Sequence, residues 1–215
     1  MSPSSSPLFL QPVSLHGEHV SLEPVQRSHV QALQQVVADG ELWKLWYTSV
    51  PAPADMPAYV DTALEMQAEG NALPFVVRER ASGEIVGCTR MCNADLVNRR
   101  MEIGYTWYAA RVQRSAVNTE AKRLLLQHAF DTLDCIAVEL RTHWLNQRSR
   151  AAIARLGAKQ DGVLRNHQRL ADGSFRDTVV FSIIESEWPA VKRHLQFRLE
   201  QNATAGQPAG QGLYA

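Results

Sequence analysis

Cysteine is scarce in this chain of 215 residues, which carries only Cys88, Cys92 and Cys135. An odd, small set argues against a disulfide framework. Cys88 and Cys92 are an even number of residues apart, which puts them on one face of a strand, and they read as small buried hydrophobes. The further ligands that a metal site needs are not evident near them, so no metal is expected. An excess of charge of either sign is also missing. Lys plus Arg and Asp plus Glu both total 22, for a formal net charge of zero. That balance argues against a nucleic-acid partner and against a polybasic membrane patch.

Long apolar runs are absent too, and none would span a bilayer. The opening MSPSSSPLFLQPVSL is Ser/Pro-rich and lacks the charged start and long apolar centre of a secretory signal. Residues 1–15 are therefore expected to be a flexible lead-in, and the protein cytoplasmic. The Gly/Ala/Gln-rich tail over 202–215 is expected to be disordered. Residues 16–201 between them suit a single domain with a substantial core.

What is present is a well-punctuated series of elements. His19–Val25 alternates and predicts a strand. Ser28–Ala38 has helical spacing with Ser28 as N-cap. Glu41–Tyr47 is a short, aromatic helical piece that Pro51 and Pro53 interrupt. Asp55–Glu69 predicts a helix capped by Asp55. Leu73–Arg80 and Glu84–Cys92 predict a hairpin, and Arg100–Tyr108 a third strand. Val117–Leu133 is an amphipathic helix, and Ile136–Thr142 a buried strand. Asn146–Leu156 is a short helix closed by Gly157. Gly162–Leu170 and Phe175–Ile184 form a last hairpin, and Glu187–Gln201 a terminal helix. The order implies an α/β (α+β) fold: a mixed, mostly antiparallel sheet, not a doubly wound parallel one.

One stretch stands out, EIGYTWYAARVQRSAVNTEA over 102–121. It reads as strand, short basic loop and helix start. Such a join aims free backbone N–H groups and the helix dipole at one point, which attracts anions. Arg111 and Arg114 bring two cations to the same loop. A pyrophosphate-bearing cofactor suits it.

With this strand order, three segments resemble the GNAT superfamily of acyl-coenzyme-A-dependent N-acyltransferases, and more narrowly its RimJ/RimL-like branch. They are EIGYTWYAA, QRSAVNTEAKRLLLQHAF and THWLNQRSRAAIARLGA. The resemblance runs from about His19 to about Trp188. It implies a GNAT fold with a splayed pair of parallel strands, Arg100–Tyr108 and Ile136–Thr142, and helices on both sheet faces. It implies acetyl-coenzyme A as co-substrate and a primary amine, small molecule or peptide, as acceptor. Homodimers are common in the superfamily. The family's cofactor loop reads Gln/Arg-x-x-Gly-x-Gly/Ala, and here it is Gln113-Arg114-Ser115-Ala116-Val117-Asn118. Ala116 and Asn118 stand where the family has small residues. Alanine still presents its N–H at negative φ, and Asn tolerates a left-handed one.

The resemblance also distributes roles. Main-chain groups near Thr106, Trp107 and Tyr108 pair with pantetheine and polarise the thioester. Asn146 contacts pantetheine, although it reads equally as a helix N-cap. Ser149, one turn on, is the candidate acid for the departing thiolate, against a reading as a small packing residue. Glu102 is the candidate general base; the alternative is a strand glutamate paired with Arg100 or Arg141. His143 and Tyr105 compete for that role. Glu120 reads as a favourable charge at a helix start. Of the aromatic segment, Trp43 and Tyr47 are expected in the acceptor pocket and Trp46 in packing. No well-placed nucleophile suggests a covalent intermediate, so direct transfer in a ternary complex is expected. The alternative is a non-catalytic acyl-coenzyme-A-binding module.

Overall fold

Adjacent residues on a strand point to opposite sides of a sheet, so a sheet whose strands are apolar at nearly every position needs cover on both faces. Ala72–Glu79 is such a strand, buried over its first six residues. The computed structural model, which describes residues 10–170 and 172–205, supplies that cover. Its elements are β1 (Leu15–His16), β2 (Val20–Pro24), α1 (Val30–Ala38), α2 (Met56–Ala68), β3 (Ala72–Glu79), β4 (Ile85–Asp95), β5 (Arg100–Tyr108), α3 (Ala116–Gln127), β6 (Ala137–His143), α4 (Gln147–Ala154), β7 (Lys159–Arg169), β8 (Phe175–Ile184) and α5 (Trp188–Ala205). The strands form one sheet in the order β1-β2-β3-β4-β5-β6-β8-β7. All neighbours are antiparallel except β5 and β6. Among the described residues no helix is long and apolar enough to cross a membrane.

Two neighbouring residues of β4 show how the helices are divided. Arg90 reaches Met66 of α2, whereas Thr89 reaches Lys122 of α3. α1 and α2 therefore lie on one face and α3 on the other, with α5 packed beside α3. Trp188 of α5 stacks on Phe130 at 5.3 Å and donates from its indole N–H to Asp131 at 2.6 Å.

Several local expectations shift. The folded part includes Leu10, which is buried, and Leu15, which begins β1. Residues 1–9 of the expected lead-in and 206–215 of the expected tail lie outside the described residues. Ser28 does not cap α1, because a 3-10 turn over Arg27–His29 precedes the helix. Asp55 likewise closes a 3-10 turn and makes no side-chain cap bond. Glu41–Tyr47 contains only a 3-10 turn over Leu42–Lys44. α4 ends earlier than expected, at Ala154 with Arg155 as C-cap, and Gly157 closes the turn that follows at φ +99°, a conformation that suits residues without a Cβ.

Glu120 does more than complement a helix dipole. Its buried carboxylate accepts N–H bonds from Glu18 (2.9 Å), His19 (2.6 Å) and Val20 (2.8 Å), which pins the β1–β2 turn to α3. A Cβ on Gly17 would lie 2.4 Å from the Glu120 carboxyl carbon, so only glycine lets the turn close on it. Charge-assisted bonds of this kind are worth more than neutral ones. Glu120→Gln is expected to lose about 2 kcal/mol, or about 4–8 °C in Tm for a domain of this size, and Gly17→Ala a comparable amount. Thermal denaturation of the two variants checks this.

Candidate functional site

The parallel ladder between β5 and β6 is short. It pairs Arg100, Met101 and Glu102 with Ala137, Val138 and Glu139, and stops there. From Ile103 onward β5 pairs only with β4. Even that pairing is interrupted, since Cys88 faces Trp107 and Arg90 faces Gly104. Thr89 alone therefore stands against two residues, Tyr105 and Thr106, which is a β-bulge. Tyr105 takes a left-handed φ of +52° there. The strands part beyond this point and leave a cavity of about 700 Å³. Ile103–Tyr108 line one wall, Leu140 and Arg141 another, and Asn146 and Ser149 of α4 a third. Trp107 and Tyr108 are buried side chains, so β5 offers the gap mainly its backbone.

The start of α3 forms the end of this cavity. Ser115 is the N-cap: its Oγ accepts from Val117 N–H at 3.2 Å and donates to Val112 C=O at 2.6 Å. Among the described residues, the N–H groups of Ala116 and Asn118 have no partner. The left-handed residue of the loop is Arg114, at φ +65°, and Asn118 is already helical. Gln113 is tied back to Tyr108 C=O through its side chain at 3.1 Å. Arg114 lines the cavity without an ion-pair partner among the described residues. Arg111 is turned away: Asp39 holds it at 3.5 Å and Glu84 at 2.8 Å. Of the two loop cations, one is free for an anion. A second hollow of about 520 Å³ meets the first at Ser115.

Glu102 sits beside the cavity rather than in its wall. A Cβ on Gly104, which does line it, would lie 3.1 Å from Glu102 Oε1. Asn93 donates to Glu102 at 2.9 Å. Of the two arginines expected as alternative partners, Arg100 pairs with Glu139 (2.6 Å), and Arg141 pairs both with Glu139 (2.7 Å) and with Glu102 (3.5 Å). Burial raises the pKa of Glu102, against the Asn93 bond and the Arg141 charge, which lower it. Asn146 caps α4, with Oδ1 accepting from Ser149 N–H at 3.0 Å, and both side chains are half-buried.

Behind the bulge lie two buried cations that sequence reasoning passed over. Arg90 is fully buried; its guanidinium stacks 4.1 Å from the Tyr105 ring centre, and Nη1 meets Met66 Sδ at 2.9 Å. Lys122 is 5% exposed and donates to Thr106 Oγ1 at 2.5 Å and Thr89 Oγ1 at 3.2 Å. A helix-face pattern does not single out such residues, because their partners lie on other strands.

The aromatic wall is assembled differently from expectation. Trp43 packs against the hydrophobic core. Trp46, 57% exposed, instead meets His143 (5.2 Å between ring centres) and Tyr47 (5.7 Å). Tyr47 lines the cavity. His143 Nδ1 accepts from Leu145 N–H at 3.0 Å, so a neutral ring carries its proton on Nε2, which is poorly suited to a base. Burial, and then the Arg176 charge, lowers its pKa. Cys88, Cys92 and Cys135 are free and buried, and no group of metal-binding side chains occurs among the described residues.

Residues 19–159 match the profile described as "Acetyltransferase (GNAT) domain". The chain is 26% identical over 184 residues to the Bacillus subtilis protein named "Putative ribosomal N-acetyltransferase YdaF", covering 82% of this chain and 97% of that one. A GCN5-related N-acetyltransferase from Brucella melitensis superposes with a TM-score of 0.81 at 30% identity, over 94% of this chain and 92% of that one. Mycobacterium smegmatis RimJ, solved with CoA-disulfide, shares the fold: TM-score 0.74, 24% identity, 87% of this chain and 95% of that one.

The Ser115 cap gives this geometry a direct test. Ser115→Ala is expected to cost about 1 kcal/mol of stability. Urea denaturation monitored by tryptophan fluorescence checks it.

Proposed function

The chain belongs to the GNAT family of acetyltransferases and is an N-acetyltransferase; on that premise we propose that it passes the acetyl group of acetyl-coenzyme A directly to a primary amine in a ternary complex. The observation that carries the proposal is the parted β5–β6 pair, whose unpaired backbone runs up to the unpartnered N–H groups at the start of α3.

Acetyl-coenzyme A, when bound, supplies the activated acyl group. The chain's own residues do the rest. The 113–118 loop and Arg114 hold the diphosphate by main-chain N–H groups, the helix dipole and one free cation. Ala116 does not spoil the loop, since it is the first helical residue and keeps a negative φ. The backbone of Thr106–Tyr108 holds the pantetheine arm and polarises the thioester carbonyl. Glu102 takes the amine proton through water; Arg100 is held by Glu139, and Arg141 is shared between Glu139 and Glu102. Ser149 gives a proton to the departing sulfur, and Asn146 fixes Ser149 by capping its helix. Tyr47, Trp46, Tyr105 and His143 form the acceptor side.

The name of the YdaF relative supports a protein N-terminus as acceptor; the same wall suits a small amine. The proposal includes a cytoplasmic site of action and a homodimer. The outermost strand, β7, is exposed along most of its length, which supports pairing with a second copy.

A base must be ionised, and burial raises the Glu102 pKa, so turnover should fall as pH drops through a value above that of an ordinary glutamate. Glu102→Gln is expected to cut turnover by about 10²-fold or more and to abolish that acid limb. Free-thiol release from acetyl-coenzyme A with a panel of peptides and amines measures it. Arg114→Gln should raise the KM for acetyl-coenzyme A far more than Arg111→Gln. Coenzyme A that neither shifts Tm nor supports amine-dependent thiol release would overturn the proposal.

A further inference from the structure

Lys122 has no part in the transfer outlined above, yet its position is costly. It points from α3 into the sheet, is 5% exposed, and lies on the cavity wall with Thr106. No carboxylate pairs with it among the described residues. Burial drives its pKa down to about 7, with Cys92 opposing the shift. An apolar side chain would fill the same space without that penalty.

What the amine does there is geometric. Nζ donates to Thr106 Oγ1 (2.5 Å) and Thr89 Oγ1 (3.2 Å), and the two hydroxyls are 2.8 Å apart. Thr106 Oγ1 also reaches Gly104 C=O at 3.3 Å. The donors and acceptors balance: Thr89 donates to Thr106, Thr106 donates to Gly104, and the amine donates to both hydroxyls. Neutral or protonated, the amine has two hydrogens to give. Thr89 is the one residue opposite the bulge, and Thr106 is one of the two residues it faces. The triangle therefore ties both lips of the bulge together next to Tyr105, whose left-handed backbone persists only if its surroundings enforce it.

We propose that Lys122 is a positioning residue for acetyl transfer: by clamping Thr106 to Thr89 it fixes the bulge and aims the β5 main-chain donors beyond it into the gap. The proposal rests on the reading that acetyl-coenzyme A occupies that gap.

The test uses the full chain, with Lys122→Met and Thr106→Val as variants and acetyl-coenzyme A as probe. The thioester carbonyl band of bound, isotope-labelled acetyl-coenzyme A is recorded by infrared difference spectroscopy. Turnover is followed by thiol release with the best amine of the panel. In Lys122→Met, kcat should fall about 10- to 100-fold while KM for acetyl-coenzyme A stays within about 2-fold. The carbonyl band should move back towards its position in free solution. Tm at pH 7 should rise, because the desolvated amine is gone, and the rise should shrink as pH climbs from about 7, where the folded amine loses its proton, and vanish only once the unfolded chain's lysine, at its ordinary 10.5, is neutral as well. Thr106→Val breaks the triangle while keeping Lys122, and should reproduce the loss of kcat and the band shift. Unchanged kcat and band in both variants overturn the positioning role. A Tm that falls together with kcat and a raised KM overturns it too, in favour of a purely structural lysine. A wild-type band identical to that of free acetyl-coenzyme A overturns the use of the gap, and the positioning role with it.

Discussion

The parallel ladder that stops at Glu102 and Glu139 organises this molecule. Buried backbone N–H and C=O groups need partners, and a central strand that abandons its neighbour leaves a row of them open. Here the abandonment is built in, because the bulge opposite Thr89 turns β5 just where β6 would have continued the pairing. Both strands then run into helix starts, α3 through the Ser115 cap and α4 through the Asn146 cap. The result is a slot with hydrogen-bonding walls and an electropositive end, made almost wholly from main chain. Its shape starts from the register between the strands.

Side chains tune what the slot can do. Glu139 takes Arg100 and shares Arg141 with Glu102, which also accepts from Asn93, while burial favours the neutral form of Glu102. Arg90 is fully buried, with the Met66 thioether and the rings of Tyr59 and Tyr105 around its guanidinium. The α2 face and the α3 face of the sheet thus each carry one buried cation at the bulge, Arg90 and Lys122. Such groups are costly to bury and specify one arrangement of the strands around them.

Element order and the strand–loop–helix join were legible in the sequence, because alternation, helical spacing and turn residues are local signals; the splayed parallel pair came from the resemblance to the GNAT superfamily. The bulge was not legible, since it exists only in the register between two strands. The same limit hid the pairing of Glu139 with Arg100 and Arg141, and the capture of Arg111 by Asp39 and Glu84. Trp43, placed in the pocket by the family resemblance, packs on the core instead, and Glu41–Tyr47 holds a 3-10 turn over Leu42–Lys44 rather than a short helix. Ser28 lost its capping position to a 3-10 turn, whereas Asp55 keeps the N-cap position of α2 without a side-chain cap bond. Cys88 and Cys92, read as apolar fillers, are indeed buried and free, as is Cys135.

Glu120 meets residues about a hundred positions earlier in the chain. Closing so long a loop is slow and entropically unfavourable, so this joint belongs among the late events of folding. During synthesis the β1–β2 turn emerges first and must wait, its three amides wetted, until the helix carrying their carboxylate has been made. The helix that closes one end of the slot is thus anchored by the amino-terminal segment, and fusions or trims close to Leu10 act on that helix from a distance.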